Sequence, residues 1–390
     1  MNLGEISIPD PREVLFWTRE ICLVCAGFGC LYLLAASLLV FRFTRRGRGA
    51  LRQAPAVSIL KPLHGFEPRL FGRLSSFCLQ DYPGPVQLVF GTSDSTDPAI
   101  DVLRRLQSAF PEKSIGWHAG SQEHGTNRKI SNLINIARLA RHDVLIVADS
   151  DIEVGRNYLC EVIGELQEPG VGAVTCIYHG VPGAGIWSRL SALAVNSEFL
   201  PQVAFALSFR LATPCFGATI AIRRGVLAAI GGFSSFSECL ADDYAIGEAV
   251  RASGYKVAIP PLSVGHVCFE DSLRALLARQ LRFVRTIKSI DPIGYAGSVV
   301  THPFPIALIG ALTGDTRCLM IAVAALMCRA TACAAVERAL ALPGQDYWLI
   351  PIQDLLSFAV YLLGYFGATV DWRGHRYRLL ANGTLVPIEK

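Results

Sequence analysis

Charge is what this sequence has least of: Asp, Glu, Lys and Arg make up 17% of its 390 residues, against 52% hydrophobic. Soluble domains usually carry about a quarter charged residues, so part of the chain belongs in lipid. The net charge is only +4, and no basic stripe with interleaved aromatics occurs, which excludes nucleic acid as an expected partner. Paired cysteine spacing is missing as well. Of 12 cysteines, the single C-x-x-C, Cys22 and Cys25, lies inside an apolar run, and the rest are scattered. That argues against a zinc knuckle or a disulfide framework and for small buried hydrophobes in a reducing compartment. His64, His124, His179 and His266 show no metal-ligand spacing among themselves. Of these, His266 reads more readily as a structural histidine than as an acceptor-site residue.

Long apolar runs are present. Ile21 to Phe41 carries no charge and, at about 1.5 Å per residue, is long enough for a hydrocarbon core of about 30 Å. Residues 1–20 contain Glu5, Asp10 and Glu13 beside Arg12, unlike a cleaved signal peptide, so 21–41 reads as an uncleaved transmembrane anchor. Arg42, Arg45, Arg46, Arg48 and Arg52 follow it directly, and the positive-inside rule places the chain beyond them in the cytoplasm. A C-terminal membrane region spans 299–370. Val299–Leu312, broken by Pro303 and Pro305, suits a re-entrant or interfacial segment. Cys318–Leu342 and Tyr347–Val370 are expected to cross as a hairpin despite Arg329, Glu337, Arg338 and Asp354. This returns a basic tail, 371–390 with Arg373, Arg376 and Arg378, to the cytoplasm. Counting Val299–Leu312 as a full span would put that tail outside.

Between residues 55 and 290 short apolar runs alternate with helical spacing. Val57–Leu60, Val86–Phe90, Val144–Ala148 and Gly172–Tyr178 read as buried strands; Asp97–Phe110, Lys129–Arg141 and Tyr158–Gln167 read as helices. The alternation predicts an α/β domain with a mostly parallel sheet, whose ligands bind beyond the carboxyl ends of the strands. Two strands run into acids there, at Asp94 and at Asp149-Ser150-Asp151, and a further pair, Asp242-Asp243, opens a helix. Paired carboxylates leaving a buried strand suit a hard divalent cation, Mg2+ or Mn2+, carrying a diphosphate. Asp94 is equally a turn former, and Asp242 equally a helix cap. Trp187–Phe209 reads either as a core helix or as an interfacial surface that guides a lipid.

The order of the motifs carries more than any one of them. Val57-Ser58-Ile59-Leu60-Lys61-Pro62-Leu63-His64-Gly65 is followed by Gln80-Asp81-Tyr82-Pro83, then by Asp94-Ser95-Thr96-Asp97 and Asn127-Arg128-Lys129-Ile130-Ser131-Asn132. After Asp149-Ser150-Asp151 come Gly217-Ala218-Thr219-Ile220, Ala241-Asp242-Asp243-Tyr244 and Arg279-Gln280-Leu281-Arg282-Phe283. From about residue 55 to 290 this set strongly resembles the ceramide glucosyltransferase family, including its bacterial branch that adds an amino sugar to the hopanoid bacteriohopanetetrol. The resemblance implies a Rossmann-like GT-A fold, a UDP-sugar donor and a lipid acceptor, either a hopanoid with UDP-N-acetylglucosamine or a ceramide with UDP-glucose. It also implies inversion at the anomeric carbon and, for the bacterial branch, residence in the inner membrane with the catalytic domain facing the cytoplasm.

By that resemblance the family's three functional aspartates correspond to Asp94, Asp149 and Asp243. Asp243 is the expected catalytic base, Asp149 and Asp151 the metal ligands, and Asp94 the uridine and ribose contact. Lys129 reads either as a donor contact, to phosphate or uracil, or as an ordinary exposed lysine. Arg279 and Arg282, three residues apart on one helix, suit phosphate, whereas their neighbours Arg274, Arg285 and Lys288 equally suit anionic headgroups. The chain departs from the family pattern twice: Phe283 stands where Trp is usual, and Asp151 completes a D-x-D. A processive polysaccharide synthase would need more membrane helices than this chain offers. A non-catalytic transporter would have no use for ordered acids at strand ends.

Overall fold

The computed structural model describes residues 10–388 apart from 66, 121, 368, 373, 374 and 381–384. The first helix, α1 (Pro11–Thr44), is 34 residues long and begins well before the expected 21. Asp10 caps it by accepting from the Arg12 N–H at 2.9 Å, and Pro11 occupies the first turn, where its missing N–H costs nothing. The α/β domain follows with β1 (Val57–Pro62), α2 (Leu70–Cys78), β2 (Val86–Thr92), α3 (Ala99–Ala109), β3 (Ser114–Ala119), α4 (Arg128–Ala137) and β4 (Val144–Val147). It continues through β5 (Ile152–Glu153), α5 (Tyr158–Leu166), β6 (Val171–Thr175) and β7 (Ile177–Pro182). One long helix comes next, α6 (Ile186–Ala194) and α7 (Leu200–Phe209) joined by a π-helical turn at Val195–Phe199. Then come β8 (Ile220–Arg223), α8 (Arg224–Ala229), α9 (Asp242–Ala252), β9 (Lys256–Ala258), β10 (Ser263–Cys268) and α10 (Leu273–Ile290).

Seven strands form one sheet in the order β3-β2-β1-β4-β8-β6-β9. It is mostly parallel, with β8 antiparallel to both β4 and β6. Alternate residues of each strand face opposite layers. Ile59, Leu88, Phe90 and Ile146 pack with Leu74, Phe77, Leu159 and Val162, whereas Leu60, Val89, Leu145 and Val147 pack with Ile130, Leu133 and Ile136. Each fully buried side chain of this kind contributes about 1.5–3 kcal/mol relative to exposure. The carboxyl ends of β1, β2 and β4 reach the same edge. Because β8 runs the other way, its beginning reaches that edge too, with Ile220 opposite Val147.

The expected strand Gly172–Tyr178 is two strands. Thr175 closes β6 by exchanging hydrogen bonds with the Phe216 backbone at 2.8 and 2.9 Å, and β7 leaves for a second sheet, ordered β5-β10-β7. There β10 lies antiparallel to β5, with His266 opposite Ile152, and parallel to β7. This small sheet sets a strand beside the loop that follows β4.

Beyond α10 the chain forms α11 (Pro292–Gly297), α12 (Pro303–Ala311), α13 (Thr316–Leu340) and α14 (Ile350–Gly364). Among the described residues, four helices are long and apolar enough to cross a membrane: Pro11–Thr44, Ile186–Phe209, Thr316–Leu340 and Tyr347–Gly364. The pair Pro292–Thr301 and Pro303–Ala311 is bent by 65°, the geometry of a broken span or of a re-entrant loop. Trp187–Phe209 belongs to the helical bundle: Leu200 and Ala204 pack with Val40, Phe43 and Val336, and Leu190 and Leu193 with Cys333, Leu349 and Ile350.

Tyr347–Val370 does not continue as one span. The helix ends at Gly364, and Gly367 takes a positive φ of 81°, a turn conformation open to glycine. Arg285 donates to the carbonyls of Thr369 (2.6 Å) and Phe366 (3.0 Å), and Lys288 to that of Gly364 (2.6 Å). These two bases satisfy carbonyls at and beyond a helix end. The basic tail holds β11 (Thr369–Trp372), β12 (His375–Leu379) and β13 (Leu385–Pro387), a three-stranded antiparallel sheet. Arg373 lies outside the described residues.

Candidate active site

Gly217 marks the centre of the acidic edge. A Cβ built on it would meet Asp149 Oδ2 at 2.9 Å, Lys129 Nζ at 3.0 Å and Asp243 Oδ2 at 3.4 Å. Three functional groups from three separate elements therefore border one small space that only glycine leaves open. The Gly217 N–H donates to Asp243 Oδ2 at 2.8 Å, and the Tyr244 N–H donates to Asp243 Oδ1 at 2.8 Å. Asp243 sits in the first turn of α9, where a carboxylate suits the helix dipole. Burial and the neighbouring Asp242 carboxylate, only partly offset by Lys129 and the Tyr244 N–H, push its pKa up to about 6.

Lys129 is not an exposed lysine. Asn127 caps α4, its Oδ1 accepting from the Ile130 N–H at 3.0 Å, and this turn aims Lys129 inward. Its Nζ lies 2.9 Å from Asp149 Oδ1 and 3.0 Å from Asp242 Oδ2. Asp242 is thereby a partner of Lys129 and of the Asn127 amide (3.3 Å) and not a side-chain cap of α9. The bridge places one cation between acids of two separate segments and holds them near Asp243.

The second half of the edge centres on Asp151. Its Oδ2 lies 3.1 Å from His266 Nε2, and Arg279 NH2 lies 2.8 Å from that same nitrogen. One ring nitrogen serves one partner at a time: protonated, it donates to Asp151; unprotonated, it accepts from Arg279. Burial and Arg279 oppose a proton on His266, but Asp151 and the Cys268 thiol outweigh them and raise its pKa to about 10. Asp151 is held well below the usual carboxylate range, since His266, Arg279 and Lys61 together overcome its burial. Asp149 shifts the other way: burial with Asp151 and Asp242 nearby pushes it up, against the pull of Lys129. Arg279 is further fixed by Glu270 and by Ser191 Oγ at 3.0 Å.

A clamp beneath the D-x-D was not anticipated from sequence. Fully buried Lys61 donates through Nζ to the Asp149 carbonyl at 2.7 Å. Arg73, 1% exposed, donates through Nε to the Ser150 carbonyl at 3.1 Å and pairs with Glu67, which accepts from Ser150 Oγ. The sequence signal for Lys61 was a charge inside the strand Val57–Pro62; Arg73 and Glu67 gave none. His266 was undervalued because its partners Asp151 and Arg279 are remote in sequence.

The remaining expected residues lie further out. Asp94 is exposed and forms a turn, its Oδ1 accepting from the Thr96 N–H (2.8 Å) and hydroxyl (2.9 Å), contacts that lower its pKa. Arg282 and Phe283 sit on α10 with Arg279. The Phe283 ring is half-exposed at 6.1 Å from Phe199. Tyr178 stacks on Phe199 at 4.5 Å and lies 5.5 Å from the His266 ring. Together with Phe216 these rings form an aromatic wall between the acids and the bundle.

Among the described residues, no group of three or more His, Cys, Asp or Glu side chains is arranged to hold a metal alone. Asp149 and Asp151 keep 34% and 28% of their side chains exposed, and Asp149 Oδ2 borders the space over Gly217. Such an oxygen pair fits a hard cation that draws its other ligands from phosphate and water.

Residues 22–385 match the model of glycosyl transferase family 21. Ceramide glucosyltransferase 3 of Caenorhabditis elegans is 22% identical over 348 residues, 85% of this chain and 74% of its own length. The ceramide glucosyltransferase of Gibberella zeae is 29% identical over 180 residues, 41% of this chain and 34% of its own. Among solved structures, the mannosyltransferase PcManGT of Pyrobaculum calidifontis, in complex with GDP-Man and Mn2+, aligns with a TM-score of 0.53. It is 22% identical, and the alignment covers 90% of this chain and 99% of that one, a likeness of fold.

Proposed function

The chain belongs to glycosyl transferase family 21 and is a glycosyltransferase of GT-A fold, and from that premise we propose that it moves a sugar from a UDP-sugar to a hydroxyl of a membrane lipid with inversion. The observation that carries this is the convergence of Asp149, Lys129 and Asp243 on one open space at the strand-end edge, beside helices apolar enough to cross a membrane. The acceptor is a hopanoid such as bacteriohopanetetrol, taking N-acetylglucosamine, or a ceramide, taking glucose; the ceramide glucosyltransferases among the relatives support a lipid acceptor. The arginines that follow α1 favour a cytoplasmic catalytic domain in a bacterial inner membrane.

Asp243 is the base. With a pKa near 6 it is ionised at neutral pH and still basic enough to accept a proton from the acceptor hydroxyl. The freed oxygen bonds to the anomeric carbon on the face opposite the diphosphate, the bond from that carbon to the phosphate oxygen breaks, and UDP leaves. Asp149 and Asp151 would hold Mg2+ or Mn2+, which neutralises charge on the departing diphosphate. Lys129 fixes Asp149 and Asp242 and keeps positive charge beside the leaving group. The clamp of Lys61 and Arg73 holds the backbone of Asp149 and Ser150, so the carboxylates are set before the donor arrives. By the family resemblance, Asp94 is assigned to the uridine and ribose, and Arg279 with Arg282 to the donor phosphates.

The decisive experiment incubates purified membranes containing the protein with UDP-glucose and with UDP-N-acetylglucosamine, adding bacteriohopanetetrol or ceramide, and identifies the lipid product by mass. One sugar on one lipid is expected. Uptake of substrate into vesicles without any glycosylated lipid would overturn the reading.

A further inference from the structure

The helical bundle contains a second group of buried ions that the mechanism above leaves unused. Arg329 on α13 is 1% exposed and Asp354 on α14 is 2% exposed, and Arg329 Nε lies 2.8 Å from Asp354 Oδ1. Charges inside an apolar bundle are costly and mark a function by default. The other two guanidinium nitrogens of Arg329 do not serve its own helix or Asp354. NH1 donates to the Ser197 carbonyl at 3.1 Å, and NH2 donates to the Thr301 carbonyl at the bend between α11 and α12.

Ser197 lies within the π-helical turn Val195–Phe199. A π turn carries one residue more than an α turn and interrupts the regular ladder of carbonyls and N–H groups. Glu198 in the same turn accepts from Ser357 Oγ of α14 at 2.5 Å and lies 3.9 Å from His302 Nε2. Thus residues 197 and 198 of the bulge are tied to α13, α14 and the α12 bend. The next residue, Phe199, stacks on Tyr178, which in turn lies against His266, the partner of Asp151.

We propose that Arg329, with Glu198, is a positioning residue: it holds the π turn of the long helix so that Phe199 and Tyr178 form the acceptor-side wall of the catalytic edge. The inference rests on the lipid-acceptor reading above. A bulge carbonyl capped from α13 gives the wall a fixed height over the acids, although Arg329 itself touches none of them. Losing the cap lets the turn relax toward regular α-helix, which rotates Phe199 off Tyr178. A displacement of about 1 Å at a wall of this kind costs up to about 100-fold in rate.

The test uses the full chain reconstituted in lipid, with whichever of bacteriohopanetetrol or ceramide the wild type glycosylates. Arg329→Met is expected to raise the acceptor KM about tenfold while the donor KM stays within about twofold. Arg329→Lys, which can still donate to Ser197, recovers much of the loss. Phe199→Ala reproduces the acceptor effect, and the double variant is no worse than Phe199→Ala alone, the non-additivity expected of residues acting in series. Where Arg329→Met does not fold, Glu198→Gln carries the same comparison with a smaller rise, about threefold. An unchanged acceptor KM, equal rises for donor and acceptor, or strictly additive effects would overturn the proposal. Failure of the wild type to glycosylate either lipid strikes instead at the acceptor reading on which it rests.

Discussion

Two groups of buried ions sit in this chain, one at the strand-end edge and one within the helical bundle, and they are finished differently. At the edge, Asp149 and Asp151 keep about a third of their side chains open and are paired with Lys129 and His266. In the bundle, Arg329 and Asp354 are nearly sealed: they form an ion pair at 2.8 Å, the other two guanidinium nitrogens donate to local carbonyls, and Asp354 Oδ2 has no hydrogen-bond partner among the described residues. Water can solvate the first pair until a ligand replaces it; the second is only 1–2% exposed, so each charge depends on the other. Partly open acids suit the proposed donor site, and a sealed ion pair suits a packed bundle.

The comparison breaks most sharply at Asp243. Asp243→Asn should retain UDP-sugar binding and lose transfer by about 1000-fold or more, within the range that general base catalysis supplies. Near-normal turnover would remove it from the base role. Replacing Asp149 and Asp151 together by Ala should eliminate metal dependence and donor binding, read by titrating UDP-sugar with and without Mn2+; unaltered donor affinity would sink the metal-site assignment. In the bundle the expected loss is in stability. Asp354→Asn leaves Arg329 buried without its counter-ion and should cost about 3–5 kcal/mol, whereas Arg329→Met combined with Asp354→Leu should restore most of it. Unfolding in detergent measures both. The double variant should keep its raised acceptor KM, since Ser197 stays uncapped.

A smaller effect follows from the pKa of Asp243. A base must be ionised to act, and burial beside Asp242 raises this carboxyl to about 6. Below that pH the protonated fraction grows, so kcat/KM should fall about tenfold per unit below 6 and level off above it. A profile flat down to pH 4.5 would assign the proton elsewhere. The least effect is expected from Phe283→Trp: the ring is half-exposed, and activity should stay within about twofold.

Much of the α/β domain was legible because β1, β2 and β4 are buried on both faces and read as unbroken apolar runs. The split at Cys176 was not, since Thr175 ends β6 through a contact with distant Phe216. Asp149 and Asp151 stood out because a strand end points to them, whereas Asp243 opens a helix and was singled out by the family resemblance. Lys129 was found as a residue, but its partners were not: Asp149 and Asp242 come to it only through the fold. Arg329 and Asp354 stood out as charges in apolar runs, but nothing in their spacing says that they face each other across two helices. The sheet at 369–387 was hidden because its strands are short and mixed in polarity.

That last sheet has a topological consequence. Val370 and Tyr377 pack against Leu240, two positions before Asp242, while Arg285 and Lys288 of α10 tether the approach to it. The path from Asp243, out through the apolar helices and home again, is therefore a closed ring and not two beads on a string. Shortening the chain before Thr369 would open that ring beside Asp242 and Asp243.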